Sequence, residues 1–169
     1  MENKIPFYNI VNMLLTGFVF SGCCIFIYYS IIINLLTTNV IPEISIVTES
    51  IITIGILSIT YEIGYIINRI GSIIIEPILI KTKTISFNNN YKKFNDCSKE
   101  YPILGTLSRE YALSRTSLTL FVITAILALL QKQWVLALVF LLITLLFSFS
   151  CRKHAKKILA IVEACTMFQ

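Results

Sequence analysis

Residues 116–150 read TSLTLFVITAILALLQKQWVLALVFLLITLLFSFS, a stretch in which Lys132 is the only charged residue. The three-residue link around Lys132 separates two apolar runs, 116–130 and 134–150. A helix needs about 20 apolar residues to cross a bilayer core, or somewhat fewer where its polar ends reach toward water. Because three residues permit only a tight connection, the stretch predicts two short transmembrane helices that form an antiparallel hairpin.

The remainder of the chain is also rich in apolar residues. Of its 169 residues, 56% are hydrophobic and only 14% are charged, whereas a soluble domain carries about 25% charged residues. No charged residue occurs between Lys4 and Glu43, which predicts a first transmembrane helix over residues 7–36. A second helix is predicted from residue 44 to residue 75 or 76, with Pro77 as its stop. That length exceeds the bilayer core, so the end of this helix should project into water.

The predicted fold class is all-α, a polytopic membrane protein with four transmembrane helices. Isoleucine dominates the second span, but an open sheet in lipid would leave backbone groups without hydrogen bonds, which favours helix over strand. The chain then divides into an N-terminal helix pair (1–80), a basic segment (81–115), a C-terminal transmembrane hairpin (116–151) and a basic juxtamembrane tail helix (152–169).

The basic residues predict the orientation of these helices. Eleven of them lie in the central segment and the tail: Lys81, Lys83, Lys92, Lys93, Lys99, Arg109, Arg115, Arg152, Lys153, Lys156 and Lys157. The opposite side has only Lys132. Because cytoplasmic loops carry the excess of lysine and arginine, both termini and the central segment are predicted to face the cytoplasm of a bacterial inner membrane.

Three charged residues recur at seven-residue intervals along the second span: Glu62, Arg69 and Glu76. In a regular helix a seven-residue step returns to nearly the same face, so they should form one stripe of alternating sign. Ionisable residues inside a membrane commonly mark an ion or ligand path. The alternative is that the stripe pairs neighbouring helices or subunits. Gly64, four residues after Thr60, indicates close helix contact in this region.

The first span has an uncharged polar pattern. Small or polar residues occur every seven positions, with one asparagine nearby: Asn9, Asn12, Thr16, Cys23, Ser30 and Thr37. Such groups gain nothing from facing lipid, so they should face protein or water. Several copies around an axis could line a pore with them. A dry contact between closely packed helices is the alternative.

The central segment contains the candidate ligand residues. A helix is predicted from Thr106 or Ser108 directly into the third span, and it carries Arg109, Tyr111, Ser114 and Arg115. Arginine offers a bidentate fork to phosphate, so these four side chains are candidates for binding a phosphate-bearing ligand. The alternative is that the arginines only anchor the helix to lipid headgroups.

Several motifs of enzymes are missing from the sequence. It has no Walker A loop, no G-x-S-x-G elbow and no H-E-x-x-H, and His154 is its only histidine. The chain is therefore predicted not to be an enzyme, with no cofactor and no metal site. Its five cysteines fall at positions predicted to be in the membrane or the cytoplasm, so no disulfide framework is expected.

The layout resembles small four-span membrane effectors of bacterial antiphage defence systems, with the Hailong-type effectors the nearest. The resemblance rests on the uncharged first helix, on Tyr61-Glu62-x-Gly64-Tyr65 in an extended second helix, and on 107–115 leading into an apolar hairpin. It implies a homo-oligomer that permeabilises the inner membrane on receipt of a cytoplasmic signal, often a nucleotide made by a partner enzyme. A nucleic-acid polymer is not expected as a partner.

Three classes of function stay open at the level of sequence. The first is a ligand-gated, pore-forming oligomer, the second is a small ion-coupled transporter that uses Glu62, and the third is a non-conducting membrane anchor for a cytoplasmic partner. The gated pore is the preferred interpretation.

Overall fold

In the computed structural model, the described residues are 7–29, 31, 33, 46–87 and 91–167. They form six α-helices and one π-helical turn: α1 (Phe7–Ile27), α2 (Ile46–Ile70), the π-helical turn (Gly71–Ile75), α3 (Glu76–Lys81), α4 (Tyr91–Glu100), α5 (Ile103–Leu130) and α6 (Trp134–Met167). Four stretches are long and apolar enough to span a membrane: Phe7–Ile27, Glu49–Lys81, Ile103–Leu130 and Trp134–Cys165. The described part of the chain is therefore all-helical with four candidate membrane spans, as predicted. The predicted break after the first span lies outside the described residues.

The second candidate span does not stop at Pro77, which corrects the prediction. The π-helical turn follows α2 directly, and the Glu76 N–H donates to the Gly71 carbonyl oxygen. Pro77 then lies in the first turn of α3. Because a first-turn residue needs no partner for its N–H, proline is tolerated there. The helical path consequently continues to Lys81.

The two C-terminal helices are longer than their apolar runs. Helix α5 begins at Ile103, with Pro102 as its N-cap, rather than at Thr106 or Ser108 as predicted. Helix α6 continues through Cys151 to Met167, so the basic tail belongs to the same helix as the fourth span. Both predicted boundaries, after 115 and after 151, fall within continuous helices. The central segment also contains a short helix, α4.

Helices α1 and α2 approach each other at two glycines. A Cβ atom added to Gly17 would lie 1.9 Å from the backbone oxygen of Thr60. One added to Gly64 would lie 1.9 Å from the backbone oxygen of Met13. These distances leave no room for a side chain, because both obstacles are backbone atoms. The close contact predicted around Gly64 is confirmed.

Substitution of Gly64 by alanine should therefore separate α1 from α2. We expect Gly64→Ala to destabilise the fold by about 2 kcal/mol, because the overpacking outweighs alanine's better helix propensity. Thermal unfolding in detergent measures the effect. Gly22→Ala is the matched control, since a Cβ there meets nothing within 4 Å. Equal stability of the two variants would contradict the close contact.

The hairpin of α5 and α6 forms the main helix packing. The link places Lys132 at φ 58°, a left-handed conformation that reverses the chain within three residues. Phe121 of α5 stacks on Phe147 of α6 with ring centroids 5.7 Å apart. The Gln133 side chain donates to the Ile27 carbonyl oxygen at 2.9 Å. The end of α1 thus lies beside the hairpin turn, and the predicted tight hairpin is confirmed.

A disulfide joins α4 to the end of α6, contrary to the prediction that the cysteines form none. Cys97 and Cys165 are 68 residues apart in sequence, and their Cα atoms lie 6.1 Å apart. Both are buried in a cluster with Leu104 and Ile158. The prediction failed because it used compartment alone, whereas apolar packing of α4 against α6 brings these two side chains together.

Candidate functional site

A polar cleft lies between α1, α2 and α5, at the end of α1 opposite Ile27. Its volume is about 240 Å³. The lining residues are Tyr8, Asn9, Asn12 and Met13 from α1, Asn68 from α2, and Ser108, Arg109, Ala112 and Arg115 from α5. The α5 residues recur at three- and four-residue spacing, which places them on one face of the helix. Three helices that are distant in sequence therefore contribute to one site.

Arg115 connects α5 to the second span. Its Nη1 forms an ion pair with Glu76 Oε2, and its Nη2 lies 3.4 Å from Asn68 Oδ1. The same Asn68 oxygen accepts a hydrogen bond from the Thr116 hydroxyl at 3.0 Å. The Arg115 Nε is buried and has no hydrogen-bond partner. Arg115 is thus held on one side of the cleft, with its Nε–H unused.

The remaining donors of the cleft are available to a ligand. Arg109 is exposed, and Asn9 and Asn12 are half-buried. Within the described part of the chain, none of these three side chains forms a hydrogen bond or ion pair. Arg115 is balanced by Glu76, so Arg109 leaves the cleft with a surplus of one positive charge.

The structure divides the predicted set of ligand residues. Arg109 and Arg115 line the cleft, whereas Tyr111 and Ser114 are buried. The Arg115 guanidinium lies 5.8 Å from the centroid of the Tyr111 ring. Tyr111 packs edge-on against Phe87 with ring centroids 5.1 Å apart, and the Ser114 hydroxyl lies 2.9 Å from that of Ser150. Neither Tyr111 nor Ser114 is among the residues that line the cleft.

Asn68 is one of the cleft residues that were not predicted from the sequence. It lies four residues after Gly64 and three before Gly71, on the face of the second span that packs against α1 and α5. An amide on the small-residue face of an apolar helix was the available signal, because a polar group there must find a partner within the protein.

The predicted stripe of three charges is also divided. Glu62 and Arg69 are exposed, whereas Glu76 is turned toward α5, where it pairs with Arg115. The π-helical turn lies between Arg69 and Glu76. Because a π-turn changes the number of residues per turn, the regular seven-residue rule does not carry across it.

Glu62 and Arg69 belong to an outward face of α2, which we define as Gly55, Ser58, Glu62 and Arg69. A Cβ at Gly55 would meet nothing within 4 Å, and Ser58 is exposed. Arg69 Nη2 donates to the Tyr65 hydroxyl on the same helix at 2.7 Å. Glu62 has no hydrogen bond or ion pair with any described residue. The opposite face of α2 carries Thr60 and Gly64, which contact α1.

The polar residues of the first span have different surroundings from one another. Asn9 and Asn12 line the cleft. Thr16 is buried and its hydroxyl donates to the Asn12 carbonyl oxygen at 2.8 Å, while Cys23 packs against the apolar cluster of α5 and α6 around Ala128. Ser30 and Thr37 lie outside the described residues. A pore-lining role for this set stays a prediction.

Among the described residues, no group of three or more histidine, cysteine, aspartate or glutamate side chains could hold a metal ion. Comparison of the chain with protein-family models, with curated proteins and with solved structures finds no match.

Proposed function

We propose that this chain is a subunit of an oligomeric membrane pore or ion channel that a cytoplasmic signal opens. The observation that carries the proposal is the outward face of α2. Glu62 lies near the middle of the span Glu49–Lys81, is exposed, and has no partner among the described residues. A carboxylate facing hydrocarbon at that depth is unfavourable by about 3 kcal/mol on insertion scales. Other copies of the chain, or water between them, would remove this cost.

The outward face suits contact between copies around a shared aqueous path. Gly55 and Ser58 are small, so a neighbouring helix can approach closely there. Glu62 and Arg69 follow on the same face and would place charge beside the path. In this arrangement the outward face of α2 lines the conduction path, and α1 packs against the opposite face of α2.

We also propose how the chain is oriented and which membrane holds it. We place both termini and the central segment in the cytoplasm and the chain in a bacterial inner membrane, because eleven basic residues oppose Lys132. The resemblance to antiphage effectors supports a role in defence, with a nucleotide or a nucleotide-producing partner as the source of the signal.

Oligomeric state and ion flux test the proposal together. The protein should form one defined oligomer in lipid nanodiscs by native mass measurement, and it should release ions from liposomes. A chain that is monomeric in nanodiscs would overturn the proposal. A defined oligomer that conducts nothing under any condition would favour the non-conducting anchor instead.

A Glu62→Gln variant tests the proposed path directly. Removal of its negative charge should shift the reversal potential toward zero in a potassium chloride gradient, because cation selectivity in such a pore would come from carboxylates at the path. Glu49→Gln is the control, since Glu49 lies 13 residues earlier and about 140° around the helix. Identical reversal potentials in all three proteins would remove Glu62 from the path.

A small ion-coupled transporter is the second candidate, and the Glu62 carboxylate, which has no partner among the described residues, favours it too. A transporter would show saturable, proton-driven uptake of one solute, and Glu62→Gln would abolish that uptake. A channel would instead give currents that rise with voltage and do not saturate at millimolar solute.

A further inference from the structure

We infer that the polar cleft is a binding site for a phosphate group, with Arg109 as its principal donor. The amide groups of Asn9, Asn12 and Asn68 complete the site together with Arg115. Binding itself is independent of any conduction, whereas its use as the opening signal rests on the proposed function.

The chemistry of the lining selects an anion. Arg109 provides a guanidinium that no described residue pairs, and its planar fork matches two phosphate oxygens. Side-chain amides of Asn9 and Asn12 offer N–H donors that no described residue uses. None of the described residues that line the cleft carries a carboxylate, and the Glu76 carboxylate that pairs with Arg115 is not among them. A metal cation would therefore meet positive charge and no free carboxylate.

Volume limits what the cleft encloses. At about 240 Å³ it is smaller than typical pockets for drug-sized ligands, which measure about 300–1,000 Å³. A phosphate and a small part of its attached group fit inside, and the remainder of a larger ligand would stay outside. The phosphate group could belong to a phospholipid headgroup or to a soluble phosphate ester, since both present the same oxygens.

Three helices would respond to an occupied site. Asn9 and Asn12 lie on α1, Asn68 on α2, and Arg109 on α5. A phosphate held by all three fixes their relative positions, because each hydrogen bond is satisfied only in one arrangement. The outward face with Glu62 is on the same helix as Asn68, so the site and the proposed path share α2.

The binding experiment uses the full-length protein in nanodiscs of neutral lipid, with inorganic pyrophosphate as the soluble probe and titration calorimetry as the readout. We expect saturable binding that weakens at least tenfold in Arg109→Gln, a loss of about 1.4 kcal/mol. Arg152→Gln is the matched control. Arg152 is exposed and does not line the cleft. It lies near the same end of the hairpin as Arg109, because the neighbouring residues His154 and Glu110 are 3.2 Å apart.

A second arm separates the two sources of phosphate. Nanodiscs that contain phosphatidic acid should bind no pyrophosphate if a headgroup occupies the cleft, and native mass measurement should then show retained phosphatidic acid that Arg109→Gln loses. Either source supports the site. Equal losses of affinity in Arg109→Gln and Arg152→Gln would show general charge attraction and overturn the site. The absence of both pyrophosphate binding and retained phosphatidic acid would also overturn it.

Arg109 is exposed and forms no pair with a described residue, so its variants should fold normally. Thermal unfolding of Arg109→Gln should match that of the natural sequence, and Arg109→Lys should recover part of the binding. Binding without ligand-dependent flux would refute the gated pore and leave the site intact. Ligand-dependent flux without binding in the cleft would refute the site and leave the gated pore intact.

Discussion

Replacement of Glu76 by glutamine should destabilise the fold by about 3 kcal/mol, because it leaves the Arg115 guanidinium without its counter-charge. The ion pair is largely buried, with side-chain exposures of 12% for Arg115 and 22% for Glu76. Glutamine retains the shape and an oxygen acceptor, so the variant removes little besides the charge. Loss of one partner of a buried pair typically costs about 3–5 kcal/mol, and the partial exposure places this pair at the lower end.

Thermal unfolding in detergent, together with proteolysis of the segment that follows α3, measures this effect. Asp96→Asn is the control, because the Lys99–Asp96 pair has side chains 73% and 50% exposed and should contribute less than about 1 kcal/mol. The double variant Glu76→Gln, Arg115→Gln should recover much of the loss, since neither charge is then unpaired. If Glu76→Gln were no less stable than Asp96→Asn, the buried ion pair would not hold α5 to the second span.

Hydropathy alone was sufficient to predict the four candidate spans and the tight hairpin. The apolar runs are long, and the bilayer requires backbone hydrogen bonds within each span. Small residues also indicated the contact at Gly64, because a helix face made of small side chains permits close approach. These features depend on the local sequence and could therefore be predicted from it.

Helix ends were harder to predict because hydropathy reports where apolar sequence stops and not where the helix stops. Helix α6 continues past Ser150 into the basic tail, and α5 begins well before its apolar run. Pro77 failed as a stop signal because the π-helical turn places it at the start of a new α-helical segment. A π-turn has no evident sequence signature here.

The cleft could be predicted only in part. Arg109 and Arg115 were identified, because cationic residues beside an apolar run are conspicuous. Their partners could not be identified, since Asn9 is 100 residues from Arg109 and only the packing of α1 against α5 brings them together. The orientation of each helix about its own axis also decides that Tyr111 and Ser114 are buried. Such rotations depend on contacts among all the helices.

Removal of the disulfide should release α4 from the end of α6. In the loop-entropy description, a cross-link between residues 68 apart in sequence stabilises the folded state by about 4 kcal/mol. This is an upper value here, because spans that stay helical in lipid leave the unfolded chain less freedom to lose. Hydrogen exchange of the α4 amides should therefore become faster in Cys97→Ser, Cys165→Ser. A reductant should likewise make exchange faster in the natural sequence. It should have no effect on the double variant, because Cys151 is already a free thiol. Protection of α4 that survives both treatments would show that packing alone holds it.

The same disulfide provides a test of orientation, because the basic residues around it predict a cytoplasmic position where thiols are kept reduced. The structure contains this pair in its oxidised form. If the proposed cytoplasmic position is right, Cys97 and Cys165 should be modified as free thiols in intact, untreated cells quenched with an alkylating reagent, and the bond should form only on oxidation. A disulfide-class oxidant added beforehand should close the bond, with the two electrons and two protons passing to the oxidant as its own disulfide is reduced. Closure without added oxidant would place α4 on the non-cytoplasmic side. It would overturn the orientation drawn from the eleven basic residues, and with it the proposal that the polar cleft receives a cytoplasmic signal.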